Sequence, residues 1–145
     1  MLLALMVYMN GVVLMLLTDA QKYLVLRERK ERKLINHCMH GWSRNMNYVG
    51  EIMLYAAFGI LVQRWEVWAI YSYMWCIIFM IRMNVKDYSL SKKEGWETYR
   101  EKTWLLVPKL LNSDFWSFLI YGVTITAGYL TYENGGIEKT LKLLF

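Results

Sequence analysis

Proline is almost missing from this 145-residue chain; Pro108 is the single one. A chain so poor in proline, with no low-complexity tract, holds no Pro-rich linker and no segment with the composition of a disordered tail. Cysteine is nearly as scarce. Cys38 and Cys76 are the only two, which excludes a disulfide framework. Both are expected to be free, with Cys76 a small packing residue inside an apolar run. Histidine also occurs twice, in "NHCMH" as His37 and His40 around Cys38. There is no third histidine and no CxxC pair, and a zinc site needs a fuller ligand set. No metal is therefore expected. Neither a Gly-rich phosphate loop nor a Ser-His-Asp arrangement is visible.

Apolar and aromatic residues are abundant instead. The chain is 57% hydrophobic and 16% aromatic, with seven Trp and eleven Tyr, against roughly 45–50% apolar in an ordinary soluble domain. The excess falls in blocks. "MLLALMVYMNGVVLMLLT", Met1–Thr18, would be about 27 Å long as a helix. It lacks the basic leader and small-residue cleavage site of a signal peptide. It is expected to be a retained membrane helix with no soluble domain ahead of it. Its Asn10 is expected to face another helix, because an amide in lipid needs a partner. Tyr48–Gln63 and Val67–Ile81 follow, separated only by "RWE", and predict a helical hairpin. Phe115–Tyr132 is the fourth block, with "NSD" as its cap and "ENGG" as its stop. In the last nine residues Ile137, Leu141 and Leu144 share one helical face. The expected fold is an all-α integral membrane protein with about four transmembrane helices and an amphipathic C-terminal helix.

Charge orders these blocks. Of the 17 Lys and Arg, seven lie in residues 19–51 and seven more in residues 82–109. The hairpin stands between these segments, so both fall on one side of a membrane. The excess of positive charge makes that side cytoplasmic, or matrix in a mitochondrion. Endoplasmic reticulum and mitochondrial inner membrane both fit. Anionic lipid head groups are natural partners for this face; nucleic acid is not, because no groove-reading motif accompanies the charge. In "RERKERK" Glu28 precedes Arg32 by four residues, which predicts a solvated helical extension.

The most unusual stretch is "SRNMNYVGE", Ser43–Glu51, at the entrance to the second block. Arg44, Asn47 and Tyr48 are donor types that hold phosphate, amide and ribose groups, and Glu51 shares a helical face with Asn47. A plainer reading makes Asn47 a helix cap and Glu51 a complement to the positive helix end.

"SRNMNYVGE" resembles the R-H-P-N-Y-x-G-E/D motif of the steroid 5α-reductase and sterol-reductase superfamily. "DAQK", Asp19–Lys22, resembles that family's D-x-Q-K at the end of a membrane helix. "KDYSLSKKEGWETYREKTWLLVPKLL" resembles its closing segment. The three pieces keep the family's order and cover about residues 19–111. They divide the chain into a reductase-like membrane domain, residues 1–111, and an additional transmembrane helix with an amphipathic tail, residues 112–145. The resemblance implies hydride transfer from NADPH to an activated double bond of a lipid. It implies that Lys22 faces phosphate and that Arg44, Asn47, Tyr48 and Glu51 line the nucleotide site. Arg82, Asp87 and Tyr99 would close that site from the second polar segment. Isoprenylcysteine carboxyl methyltransferases, which use S-adenosylmethionine, share a similar pattern, but Asn47 before Tyr48 and Glu51 after Gly50 favour the reductases.

Two departures shape the functional expectation. Asn45-Met46 stands where the family motif has His-Pro. Full-length reductases also carry several more helices ahead of D-x-Q-K, which supply the lipid cavity and the acid that polarises the substrate. The favoured expectation is thus a non-catalytic accessory subunit that assembles with other membrane subunits. An NADPH-dependent lipid reductase is the alternative, and a methyltransferase a further one. No catalytic residue is assigned.

Overall fold

A computed structural model describes residues 1–28 and 33–133 of the chain. Among the described residues the secondary structure is helical, with one isolated parallel bridge between Ser43 and Trp104. The chain divides into two compact units, Met1–Pro108 and Lys109–Phe145.

In the first unit, α1 (Leu2–Glu28) packs against α3 (Met46–Val62). Their contact is built from small residues. Ala4, Gly11 and Thr18 are the buried positions of α1, seven residues apart, and Gly50 and Ala57 are buried on α3; Gly59, also buried, meets the Trp68 ring instead. At the crossing a Cβ on Gly11 would stand 2.7 Å from the Gly50 carbonyl oxygen, and one on Gly50 would stand 2.6 Å from that of Gly11. Only glycine admits so close an approach of two backbones, and small residues are how helices pack closely in lipid. Asn10 is not at this contact. It is exposed, and its amide donates to the Met6 carbonyl oxygen of its own helix at 2.8 Å. The partner expected across the bundle is supplied one turn back, which satisfies the donor without a second helix.

A short helix α2 (Met39–Trp42) precedes α3. Gln63 ends α3 in the left-handed conformation at φ 54°, and its N–H donates to the Gly59 carbonyl oxygen. The next helix starts at once. α4 (Trp65–Leu90) is continuous over 26 residues, with π-helical turns at Met74–Phe79. It overruns the apolar block by more than two turns. Arg82 and Asp87, expected in a loop, stand on this helix instead. The cause is a buried stripe: Phe79 and Met83 are almost fully enclosed and Leu90 packs against the core. These positions recur at helical spacing, so the helix persists through its charged turns. α5 (Trp96–Lys102) follows, entered through Gly95 at φ 80°. Its Trp96 and Tyr99 form a small core with Leu34.

Two helices, Leu2–Glu28 and Trp65–Leu90, are long and apolar enough to cross a membrane; α3 has 17 residues and is shorter. About four such spans are expected from sequence, and two reach that length and composition among the described residues. The second unit holds a 3₁₀ turn at Leu110–Asn112 and α6 (Asp114–Glu133). Ser117 Oγ ties them together: it donates to the Ser113 carbonyl oxygen at 2.7 Å and accepts the Leu110 N–H at 2.8 Å. The pairing of Glu28 with Arg32 and the amphipathic tail lie outside the described residues.

Candidate functional site

The motif begins in extended backbone. Ser43 leaves α2 extended, at φ −149° and ψ 149°, and lies beside the segment that follows α5. The Arg44 N–H donates to the Trp104 carbonyl oxygen at 3.1 Å, Ser43 Oγ to that of Leu106, and Asn45 Nδ2 to that of Leu105 at 2.9 Å. Two distant stretches are thus zipped together by three consecutive motif residues. Asn45 takes this role because its backbone is not yet helical; α3 starts at Met46. Asn47 therefore is not the cap expected from sequence. It sits inside the first turn, and the residue at the cap position, Asn45, makes no side-chain capping bond.

Arg44 is 9% exposed. Its Nε donates to Asp87 Oδ2 at 2.9 Å, its Nη1 to the Thr103 and Arg100 carbonyl oxygens, and its guanidinium carbon stands 5.7 Å from the centre of the Trp96 ring. A buried cation held by a carboxylate and two carbonyls is well compensated. Lys86, one residue before Asp87, donates to the Arg44 carbonyl oxygen and to Asn45 Oδ1, both at 2.9 Å. Tyr99 OH donates to the His40 carbonyl oxygen at 2.7 Å. Burial pushes the Tyr99 phenol up to about 12, so it stays protonated as that donor.

These residues surround a pocket of about 90 Å³. Lys22, Lys33, Arg44, Lys86 and Lys93 line it, with His40 and Tyr99; Leu26, Ile35 and Leu90 complete the wall. No acidic residue among the described residues lines it. Lys22 lies near the end of α1, Lys86 near the end of α4, and Arg44 just ahead of α3. The pocket therefore occupies one end of the helical unit, where the two basic segments meet. It is too small for a whole organic ligand, whose sites usually run to roughly 300–1,000 Å³. It suits one compact anionic group. Beside it, sharing Lys33 and Lys93, lies an open groove of about 520 Å³.

Of the residues named from sequence, Lys22, Arg44 and Tyr99 meet at this pocket, and Asp87 is bonded to Arg44. The other four are not in its lining. Tyr48 packs its ring on Phe79, centres 4.9 Å apart. Asn47 Oδ1 is buried without a hydrogen-bond partner. Glu51 lies within electrostatic reach of Arg82 and Asp19, and Arg82 is exposed on α4. Lys86, Lys93, Lys33 and His40 are pocket residues that the sequence reading did not single out for a ligand. His40 was visible only as part of "NHCMH". The structure separates that trio, with His40 buried and His37 and Cys38 exposed. Among the described residues no group of three or more His, Cys, Asp or Glu could hold a metal ion.

No curated protein and no solved structure matches the chain. A family model described as a protein of unknown function, DUF1295, matches residues 1–103, which takes in α1, the motif, the hairpin and the pocket, and the chain belongs to that family.

Proposed function

We propose that this protein is a membrane-bound member of the reductase-like lineage whose cationic pocket binds the phosphate of a nucleotide cofactor, NADPH by the resemblance of its motifs. One observation carries the reading. Lys22, Arg44 and Tyr99 come from three separate motif pieces, and they converge on one pocket walled by cations. The residues fit a phosphate group, since ammonium and guanidinium donors make strong, charge-assisted bonds to it. The adjoining groove has room for the rest of a dinucleotide. Bound there, NADPH would supply a hydride for a lipid double bond. The chain's own part is to hold the phosphate and to shield it from the bilayer end of the helices. The exposed apolar faces of α1 and α4 support placement in a membrane, with the basic end cytoplasmic or in the matrix. Titration of the detergent-solubilised protein with NADPH tests this reading. Binding is expected to weaken about tenfold in Lys22→Ala, the scale of a lost bond to a charged group. NADPH affinity unchanged in both Lys22→Ala and Lys93→Ala would sink it.

A second reading, a non-catalytic accessory subunit, is favoured by a different fact. Arg44 and Asn45 spend their polar groups on backbone carbonyls and on Asp87 and Lys86, so the motif serves as architecture whether or not a nucleotide binds. Extraction in gentle detergent separates the two readings: a large particle with stoichiometric partners supports the subunit, a small one the enzyme.

A further inference from the structure

We propose that the pocket takes a phosphate ester carrying a hydroxyl beside the phosphate, and that this hydroxyl donates a hydrogen bond to His40 Nε2. The inference rests on the phosphate-binding reading above and narrows its ligand.

His40 is 6% exposed and lines the pocket, and its Nε2 is buried with no hydrogen-bond partner. A buried polar atom without a partner is uncommon and costs free energy. The charge and tautomer of the ring follow from its surroundings. Burial, with Lys86 and Lys22 nearby, lowers its pKa to about 4, while the Thr18 carbonyl and Asp19 pull weakly the other way. The ring is thus neutral and carries one proton. The Thr18 carbonyl can only accept, so that proton sits on Nδ1, the nitrogen that is not orphaned. Nε2 then offers a bare lone pair. The two polar groups that already have partners are donors bonded elsewhere, and the ammonium groups of Lys22 and Lys93 are left to the anion. Lys86 Nζ is bonded to Arg44 and Asn45, and Tyr99 OH to the His40 carbonyl.

An acceptor set among cations asks for a ligand with two kinds of atom. Phosphoryl oxygens satisfy the cations, yet the dianion of a phosphate monoester brings only acceptors through its phosphoryl group and leaves Nε2 without a donor. A phosphorylated polyol brings both the anion and an O–H donor on the neighbouring carbon. A nucleotide ribose and a phosphoinositide head group share this chemistry.

The test uses the full-length wild-type protein and adenosine 2′-monophosphate, whose 3′-hydroxyl neighbours the phosphate, against its 3′-deoxy analogue. The hydroxyl compound should bind about tenfold more tightly, the scale of one neutral hydrogen bond. His40→Phe should reduce it to the level of the deoxy analogue and leave the analogue unchanged. Equal binding of the two compounds to the wild-type protein overturns the proposal and leaves the phosphate reading standing; binding of neither overturns both. The wild-type comparison decides the matter even if the variant does not fold. Competition by vesicles containing phosphatidylinositol 4-phosphate, but not by vesicles of phosphatidic acid, would assign the hydroxyl-bearing phosphate to a lipid. Its absence, with tight nucleotide binding, would assign it to the nucleotide.

Discussion

Asn45 and Asn47 stand two residues apart in one motif and live under opposite conditions. Asn45 is fully buried and satisfied at both ends: its Nδ2 donates to the Leu105 carbonyl oxygen and its Oδ1 accepts from Lys86. Asn47 is inside α3, and its Oδ1 is buried with no partner. The same contrast divides the whole stretch. Ser43, Arg44 and Asn45 precede the helix and bond to the backbone of residues 103–106. Asn47, Tyr48 and Glu51 are helical; Tyr48 packs on Phe79, and Glu51 lies within electrostatic reach of Arg82 and Asp19. A motif that reads as one unit in sequence is two devices in the fold, a clasp and a helix face. The boundary falls at Met46, where the helix begins.

The clasp should be the costly part to damage. Asp87→Ala would leave the Arg44 guanidinium, one-tenth exposed, without its carboxylate. Breaking a buried pair typically costs about 3–5 kcal/mol. The lower end is expected, because two carbonyls still accept from the guanidinium. Denaturation of the detergent-solubilised variant by titrated SDS measures the loss. A cost below about 1 kcal/mol would mean that the ion pair is solvated. Asn45→Ala comes next. It orphans the Leu105 carbonyl and removes an acceptor from Lys86, and one unsatisfied buried group costs roughly 1–3 kcal/mol.

Acid acts on the fold through His40, which α2 buries just ahead of the clasp. In the unfolded chain its pKa is near 6.5, and in the fold it is about 4. Between those values the unfolded state binds the extra proton, so stability falls as the pH drops from about 6.5 to 4. Above that window the contribution is complete. Thermal melts from pH 7 to 4 should show the decline, and His40→Gln should flatten it. An equal slope in the variant would assign the acid sensitivity to other groups.

Much of this fold was legible and much of the site was not, for reasons that differ by residue. α1 and the α3–α4 hairpin announce themselves through unbroken apolar runs with few charges. The persistence of α4 to Leu90 did not, because Arg82, Lys86 and Asp87 look like a loop to any reading that weighs local polarity. The spacing of Phe79, Met83 and Leu90 was the signal, and it was masked by the charges between them. Lys22, Arg44 and Tyr99 were reachable through the order of the motif pieces. Lys86 was not, since its importance comes from two acceptors more than 40 residues away in sequence. His40 carries little signal: beside Cys38 and His37 it offers only an incomplete ligand set, and nothing local shows that α2 buries it and leaves the other two outside. Asn10 shows the reverse: a polar residue in an apolar helix suggests a distant partner, while its own preceding turn supplies one.

The smallest expected effect separates the two asparagines most sharply. Asn47→Ala removes an acceptor that has no partner, so no bond is lost. Within a helix, alanine is also the better former by several tenths of a kcal/mol. The variant should therefore be as stable as the wild type or up to about 0.5 kcal/mol more stable, against the loss expected at Asn45. The same SDS titration reads both. If Asn47→Ala instead costs 1 kcal/mol or more, its Oδ1 is satisfied in the folded protein and the helix face is as much architecture as the clasp. If stability holds while NADPH affinity falls, the orphaned oxygen is kept for a ligand donor. The helical half of the motif then belongs to the binding surface, although it lies outside the lining of the cationic pocket.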